Sequence, residues 1–203
     1  MASPPAPTAD RRSGLIVIAV MAAIMWAAEI ADQVSGLDLE RYGIRPRDAD
    51  GLIGIGAAPF LHAGFGHLLG NTVPFLVLGA AIALSGLARV IAVTSIVALV
   101  GGAGTWLIAP AGTDTIGASG LIFGYAAYLV ARALFSRNLA HLAAAVVVLA
   151  VYGGTLLLAL VPTPGISWQG HLLGGVGGVV AAWALDRRRP SPSARLDPLL
   201  HLR

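Results

Sequence analysis

Four side chains from three separated stretches of the chain together have the chemistry needed to break an amide bond. Ser119 supplies a hydroxyl, His171 an imidazole, and His67 with Asn71 two hydrogen-bonding groups spaced i and i+4, so that they project from one helix face. A serine hydroxyl is a weak nucleophile until a neighbouring base takes its proton. His171 is the one histidine inside an apolar block that could approach Ser119 from another helix at the same depth, which makes it the candidate general base. No carboxylate accompanies the pair. Asp114 precedes Ser119 in a loop and Asp186 lies at the far end of the segment carrying His171, so a dyad is expected rather than a triad. His67 and Asn71 suit stabilisation of a developing oxyanion. The Ser119 backbone N–H would join them, because the first amides of a helix have no intrahelical acceptor and carry the positive end of its dipole. Gly117 and Gly120 flank the serine and leave room for a substrate backbone.

Taken singly, each residue has a simpler reading. A serine near a helix start ordinarily caps it, histidines such as His62 and His67 at a span boundary serve as interfacial groups, and Asn71 could bridge two helices. Their coincidence at one depth is what singles them out, and that depth is set by the elements that carry them. Of 203 residues, 57% are hydrophobic and 11% charged, and the mean hydropathy is +0.80. The apolar residues fall in six blocks, roughly 14–32, 66–84, 89–109, 117–134, 139–161 and 165–185, each long enough for a hydrocarbon core about 30 Å thick. They are too long and too unalternating for barrel strands, so the expected fold is an all-α membrane protein of six transmembrane helices. Spans two, four and six enter from the same side. Each carries its polar group within about two turns of its start, roughly 3 to 10 Å deep at 1.5 Å per residue. Gly170, Gly174 and Gly178 on span six and Gly120 and Gly124 on span four form small-residue stripes, which predicts that these two helices pack together.

The net charge is +3 and its positive part is all arginine. Arg11, Arg12, Arg89, Arg132, Arg137 and Arg187 to Arg189 collect on one side if the N-terminus is cytoplasmic, so the arginines read as topology signals and not as a nucleic-acid surface. Both termini are then cytoplasmic and the polar site opens outward. The expected organisation is a cytoplasmic segment 1–13, a six-span domain 14–186 and a tail 187–203 without an apolar block, expected to be disordered. Cysteine is absent, which excludes disulfides, thiol nucleophiles and thiolate metal ligands. Neither a His-Glu-x-x-His zinc helix nor an intramembrane aspartate pair occurs, and no metal or cofactor is expected. A transporter with His62, His67, Asn71 and His171 along its pathway is the reading from a different class, disfavoured by the lack of carboxylates beside them.

The motifs His62-Ala63-Gly64-Phe65-Gly66-His67-Leu68-Leu69-Gly70-Asn71, Gly117-Ala118-Ser119-Gly120 and Gly170-His171-Leu172-Leu173-Gly174 resemble, in order and spacing, those of the rhomboid intramembrane serine proteases. The resemblance covers the six-span core. It implies a bacterial plasma-membrane enzyme with a water-filled cavity open to the outside, acting on transmembrane protein substrates within the lipid. By motif it implies Ser119 as nucleophile, His171 as base, His67 and Asn71 as the oxyanion pair and His62 as a supporting loop histidine. Phe123 stands where several relatives carry Tyr against the imidazole, able to stack but not to donate a hydrogen bond. The Trp-Arg pair of many members is missing near Ile53 and Gly54. The short apolar stretch 51–61 matches a loop that dips into the outer interface, and substrate access is associated with the fifth span and the loop at about 161–168. A non-catalytic relative that binds membrane clients is the alternative within the resemblance.

Overall fold

The computed structural model describes residues 7–136 and 138–187. Its long helices are α1 (Pro7–Ser35), α3 (Phe65–Ala83), α4 (Leu87–Ile108), α5 (Ser119–Ser136), α6 (Leu139–Leu158) and α7 (Trp168–Asp186), with α2 a single turn (Gly54–Ala57) in the first loop. Helices are the structure these blocks must adopt, because a lipid-facing backbone has no water to bond and only the helical ladder satisfies it locally. Five of them, α1, α3, α4, α5 and α6, are long and apolar enough to cross a membrane. The sixth, α7, matches them in length with 19 residues, but Gln169, His171 and five glycines lower its apolarity. It is wedged between α4 and α5, so only one side, with Leu172, Val176, Val179 and Trp183, is left exposed.

Boundaries differ from the sequence expectation where capping chemistry intervenes. Helix α1 starts at Pro7 and not at 14, and Asp10 in its first turn accepts from the Leu87 N–H at 3.1 Å, tying it to the start of α4. Part of the expected N-terminal segment is therefore helical. Residues 1–6, the tail from 188 onward and Arg137 lie outside the described residues. Helix α7 starts at Trp168 because Ser167 caps it, accepting from the Gly170 N–H. Asn138 caps α6 in the same way, accepting from Ala140.

The core is a layer of interlocked apolar side chains from α1, α3, α4 and α5, among them Met25, Phe75, Val93 and Tyr125. The α5–α7 contact is of another kind. A Cβ on Gly174 would strike the Gly120 carbonyl, and one on Gly178 would strike the Gly124 carbonyl, so the helices touch backbone to backbone. The other side of α7 is equally close. A Cβ on Gly101 would meet the Gly174 Cα at 3.0 Å and one on Gly177 the Val97 Cα at 3.0 Å. Glycine is required on both faces of α7, whereas the stripe read from sequence named one face only. Gly170 and Gly120 belong to that stripe by spacing but are less tight, since an added Cβ would meet Ser167 Oγ at 3.2 Å at Gly170 and the Gly170 carbonyl at an ordinary 3.5 Å at Gly120.

At the end of the bundle far from Ser119, Asp186 accepts from Arg89 at 2.9 Å, from Arg132 at 3.2 Å and from the Tyr128 hydroxyl at 3.0 Å, while Arg132 also reaches the Ser85 hydroxyl at 2.7 Å. Arg89 and Arg132, counted in the sequence as topology signals, are thus also paired inside the fold. They join α4, α5 and α7.

Gly178→Ala is expected to cost about 1–3 kcal/mol by forcing the helices apart. Gly175→Ala, whose new Cβ would meet only Ala127 at 4.0 Å, is expected to leave stability unchanged or raise it through better helix propensity. Thermal unfolding in detergent micelles checks the pair.

Candidate active site

Ser119 is the first residue of α5, and its position follows from how the chain enters the helix. Gly117 has φ +105°, a left-handed conformation, and a Cβ there would lie 2.8 Å from the Cε1 and Nε2 atoms of His67. Only glycine serves at this corner. The first loop then holds the turn in place. Thr115 and Ile44 exchange two backbone hydrogen bonds of 2.9 and 3.0 Å, the Gly117 N–H donates to the Ala58 carbonyl at 2.8 Å, and the Ala118 N–H donates to His62 Nε2 at 3.4 Å. The stretch 51–61, apolar and too short to span, folds as successive short turns against α4, with Gly102 pressed on Ile55. The loop lacks a Trp-Arg pair at Ile53 and Gly54 and is anchored elsewhere. Arg47 donates to the Leu107 carbonyl at 2.8 Å and Trp106 Nε1 to the Asp48 carbonyl at 2.8 Å.

Across the glycine contact, His171 sits one turn into α7 with its Nε2 2.9 Å from Ser119 Oγ. Its Nδ1 lies 2.8 Å from the carbonyl oxygen of Ala159, the residue closing α6. A carbonyl can only accept, so Nδ1 carries the proton and Nε2 keeps a lone pair for the serine O–H. Phe123 stacks on the imidazole with ring centroids 4.3 Å apart and planes within 1°. The ring is held on a face and at an edge.

His67 has the opposite tautomer. Its Nδ1 accepts from the Ala63 N–H at 3.3 Å, leaving Nε2–H as a donor beside Gly117. Asn71 is buried and gives one N–H of its amide to the His67 carbonyl at 2.8 Å, with the second remaining for the cavity. Ser119, His171, His67 and Asn71 all line one cavity of about 440 Å³, walled by Gly101, Gly102, Gly120 and Gly174 and roofed by Gly165 to Ser167. Such a hollow has room for water and an extended peptide between the Ser119–His171 pair and the N–H groups of His67 and Asn71. His62 stands behind this set, with its ring centroid 5.1 Å from that of His67. It touches the serine turn through Ala118 and does not line the cavity. Gly124 and Gly178 hold the helices together below the site. Among the described residues no group of three or more His, Cys, Asp or Glu could hold a metal ion.

Several contributors had no signal in the sequence. Ala63 and Ala159 act through backbone atoms, which their side chains do not advertise. Glu29, near the outer end of α1, is only 2% exposed and accepts from Gln33 at 3.1 Å. An acidic residue one turn inside a span's end was the only available hint.

A bundle of membrane-length helices enclosing a serine hydroxyl bonded to an imidazole defines the class: an integral membrane protein of all-α fold. The Rhomboid domain family model matches residues 50–188, and the chain belongs to that family. It is similar to uncharacterized proteins of Mycobacterium tuberculosis and Mycobacterium bovis, each 48% identical over 181 residues that span 85% of this chain and 75% of the relative. An uncharacterized protein of Mycobacterium leprae is 45% identical over 182 residues, spanning 85% of this chain and 72% of its own length.

Burial, with a smaller contribution from the neighbouring His67, pushes the His62 imidazole down from 6.5 to about 4. The unfolded chain therefore binds a proton here that the folded chain refuses, and stability falls as pH drops from 6.5 toward 4. Protonation would also turn Nε2 from acceptor to donor and break the Ala118 bond. Unfolding temperature is expected to decline over that window, and His62→Gln, which keeps an acceptor without titrating, is expected to flatten the decline.

Proposed function

We propose that this protein is an intramembrane serine endopeptidase that hydrolyses peptide bonds in or near the transmembrane segments of other membrane proteins. The observation that carries the reading is the 2.9 Å contact between Ser119 Oγ and His171 Nε2, made between two helices inside a cavity of the bundle. Membership of a family that is generally one of intramembrane serine proteases supports it.

The reaction follows from the two tautomers. With Nδ1–H held by Ala159, His171 Nε2 takes the Ser119 proton as Oγ attacks the scissile carbonyl carbon. Negative charge then gathers on the carbonyl oxygen, where His67 Nε2–H, the second Asn71 N–H and the Ser119 backbone N–H act as donors fixed before the reaction begins. The imidazolium returns its proton to the departing amine, and the carbonyl remains as an ester on Ser119. Water entering the cavity gives a proton to Nε2 and attacks that ester, and His171 passes the proton back to the serine oxygen as the acid product leaves. Protein groups and water supply every step. Ala159 orients the base as a carboxylate does in a triad, without adding a full charge.

Substrates in this reading are single transmembrane helices that reach the cavity through the lipid, with α6 as the most lipid-exposed wall and 161–168 as the cover. In this reading the site opens outward and both termini lie in the cytoplasm, an orientation that the arginine distribution favours.

A fluorophosphonate probe is expected to label purified protein at Ser119. Ser119→Ala is expected to abolish labelling and cleavage of a reconstituted transmembrane substrate, and His171→Ala to lower cleavage by at least about a thousandfold. Cleavage that persists in Ser119→Ala would falsify the mechanism.

A further inference from the structure

Resting on the protease reading above, we propose that the backbone carbonyl of Ala159 is the positioning group of the base His171, and that docking of the last turn of α6 thereby controls the reactivity of Ser119. The bond from His171 Nδ1 to this carbonyl is 2.8 Å long. Ala159 closes α6 with φ −74° and ψ −4°, and its own N–H donates to the Thr155 carbonyl at 3.0 Å. Carbonyls of a helix's last turn have no intrahelical donor and carry the negative end of its dipole. The imidazole thus meets an acceptor suited to the positive charge that it gains as it takes the serine proton.

What makes this bond a control point is the helix that supplies it. Helix α7 is locked between α4 and α5 by glycine contacts, whereas α6 packs chiefly on α5 and buries only Ala145 and Val148. Tyr152 and Leu156 are the partly buried side chains that hold its second half against the core. Residues 161–166, which connect it to α7, are all exposed. A helix clamped on two sides carries the base, and the long helix with the fewest buried residues carries the acceptor that selects its tautomer. If the last turn of α6 swings away, Nδ1–H is left without a partner in an apolar site. The proton then shifts to Nε2, or the ring turns, and the serine loses its acceptor. Loosening α6 therefore silences the site, even though it widens the way in.

Two matched backbone changes test this, each replacing a leucine by its α-hydroxy analogue so that one amide becomes an ester. At Leu160 the change weakens the Ala159 carbonyl as an acceptor. At Leu158 it weakens the Leu157 carbonyl instead. Both perturb the same 3.2 Å bond from the Leu160 N–H to the Leu157 carbonyl. The side-chain arm is Tyr152→Ala with Leu156→Ala, which frees α6. Fluorophosphonate labelling needs no transit of a substrate helix, and wild-type labelling at Ser119 reports on the protease reading by itself. Absent wild-type labelling overturns that reading and this inference together. Given wild-type labelling, the Leu160 ester is expected to slow labelling and lower kcat at least about tenfold with KM unchanged, and the Leu158 ester to stay within about twofold of wild type. Imidazole 15N spectra should show His171 as the Nδ1–H tautomer in wild type and a mixture in the Leu160 ester. The Tyr152 and Leu156 double variant should label more slowly. Equal rates for the two esters, or faster labelling in the double variant, would overturn the role of Ala159 while leaving the protease reading standing.

Discussion

The structure depends on the contact of two helix backbones with nothing between them. Where Gly174 meets Gly120 and Gly178 meets Gly124, α7 and α5 approach until one helix's Cα rests on the other's carbonyl. Ordinary side chains would hold the axes 8–10 Å apart, too far for a short serine to reach an imidazole from the next helix at 2.9 Å. In lipid such closeness has a further use, since apolar side chains gain little by leaving lipid tails for each other and packing must supply the association.

Once the helices are that close, backbone atoms decide what the two imidazoles can do. His171 and His67 are the same residue type a few ångströms from the same serine turn, yet one presents a lone pair and the other a proton. The difference comes from the partner of Nδ1, a carbonyl of Ala159 in one case and an N–H of Ala63 in the other. Opposite tautomers are what the proposed acyl transfer asks of a base and of an oxyanion donor.

Both ends of the bundle are then fastened so that this alignment is not lost. On the side of the site the first loop grips the serine turn at Thr115, Gly117 and Ala118 in succession. At the other end Asp186 gathers Arg89, Arg132 and Tyr128 from two neighbouring helices. Breaking a buried pair of this kind leaves an uncompensated charge in an apolar setting, so the network resists sliding of α7 along α5. Among the described residues α6 has no ion pair, and its side-chain tie to α5 is the 2.6 Å contact of His141 with Ser136 at the end away from Ala159.

Much of this was legible from residues alone, for definite physical reasons. Span lengths follow from bilayer thickness, so the helical blocks could be read within several residues. Small residues four apart mark a packing face, so the pairing of α5 with α7 was foreseeable from Gly120, Gly124, Gly174 and Gly178. Ser119, His171, His67 and Asn71 stood out because polar groups in lipid need partners. The sequence did not disclose the second glycine face of α7 at Gly177, since spacing cannot say that a helix is enclosed on two sides. It did not reveal that Glu29 is buried, that Arg132 is paired, or that Arg47 and Trp106 anchor the first loop. Residue types and their periods determined what chemistry was possible and at what depth. Only the tertiary structure decided which proton sits on which nitrogen, because that choice is made by peptide N–H and C=O groups, which every residue carries and whose direction depends on the path of the folded chain.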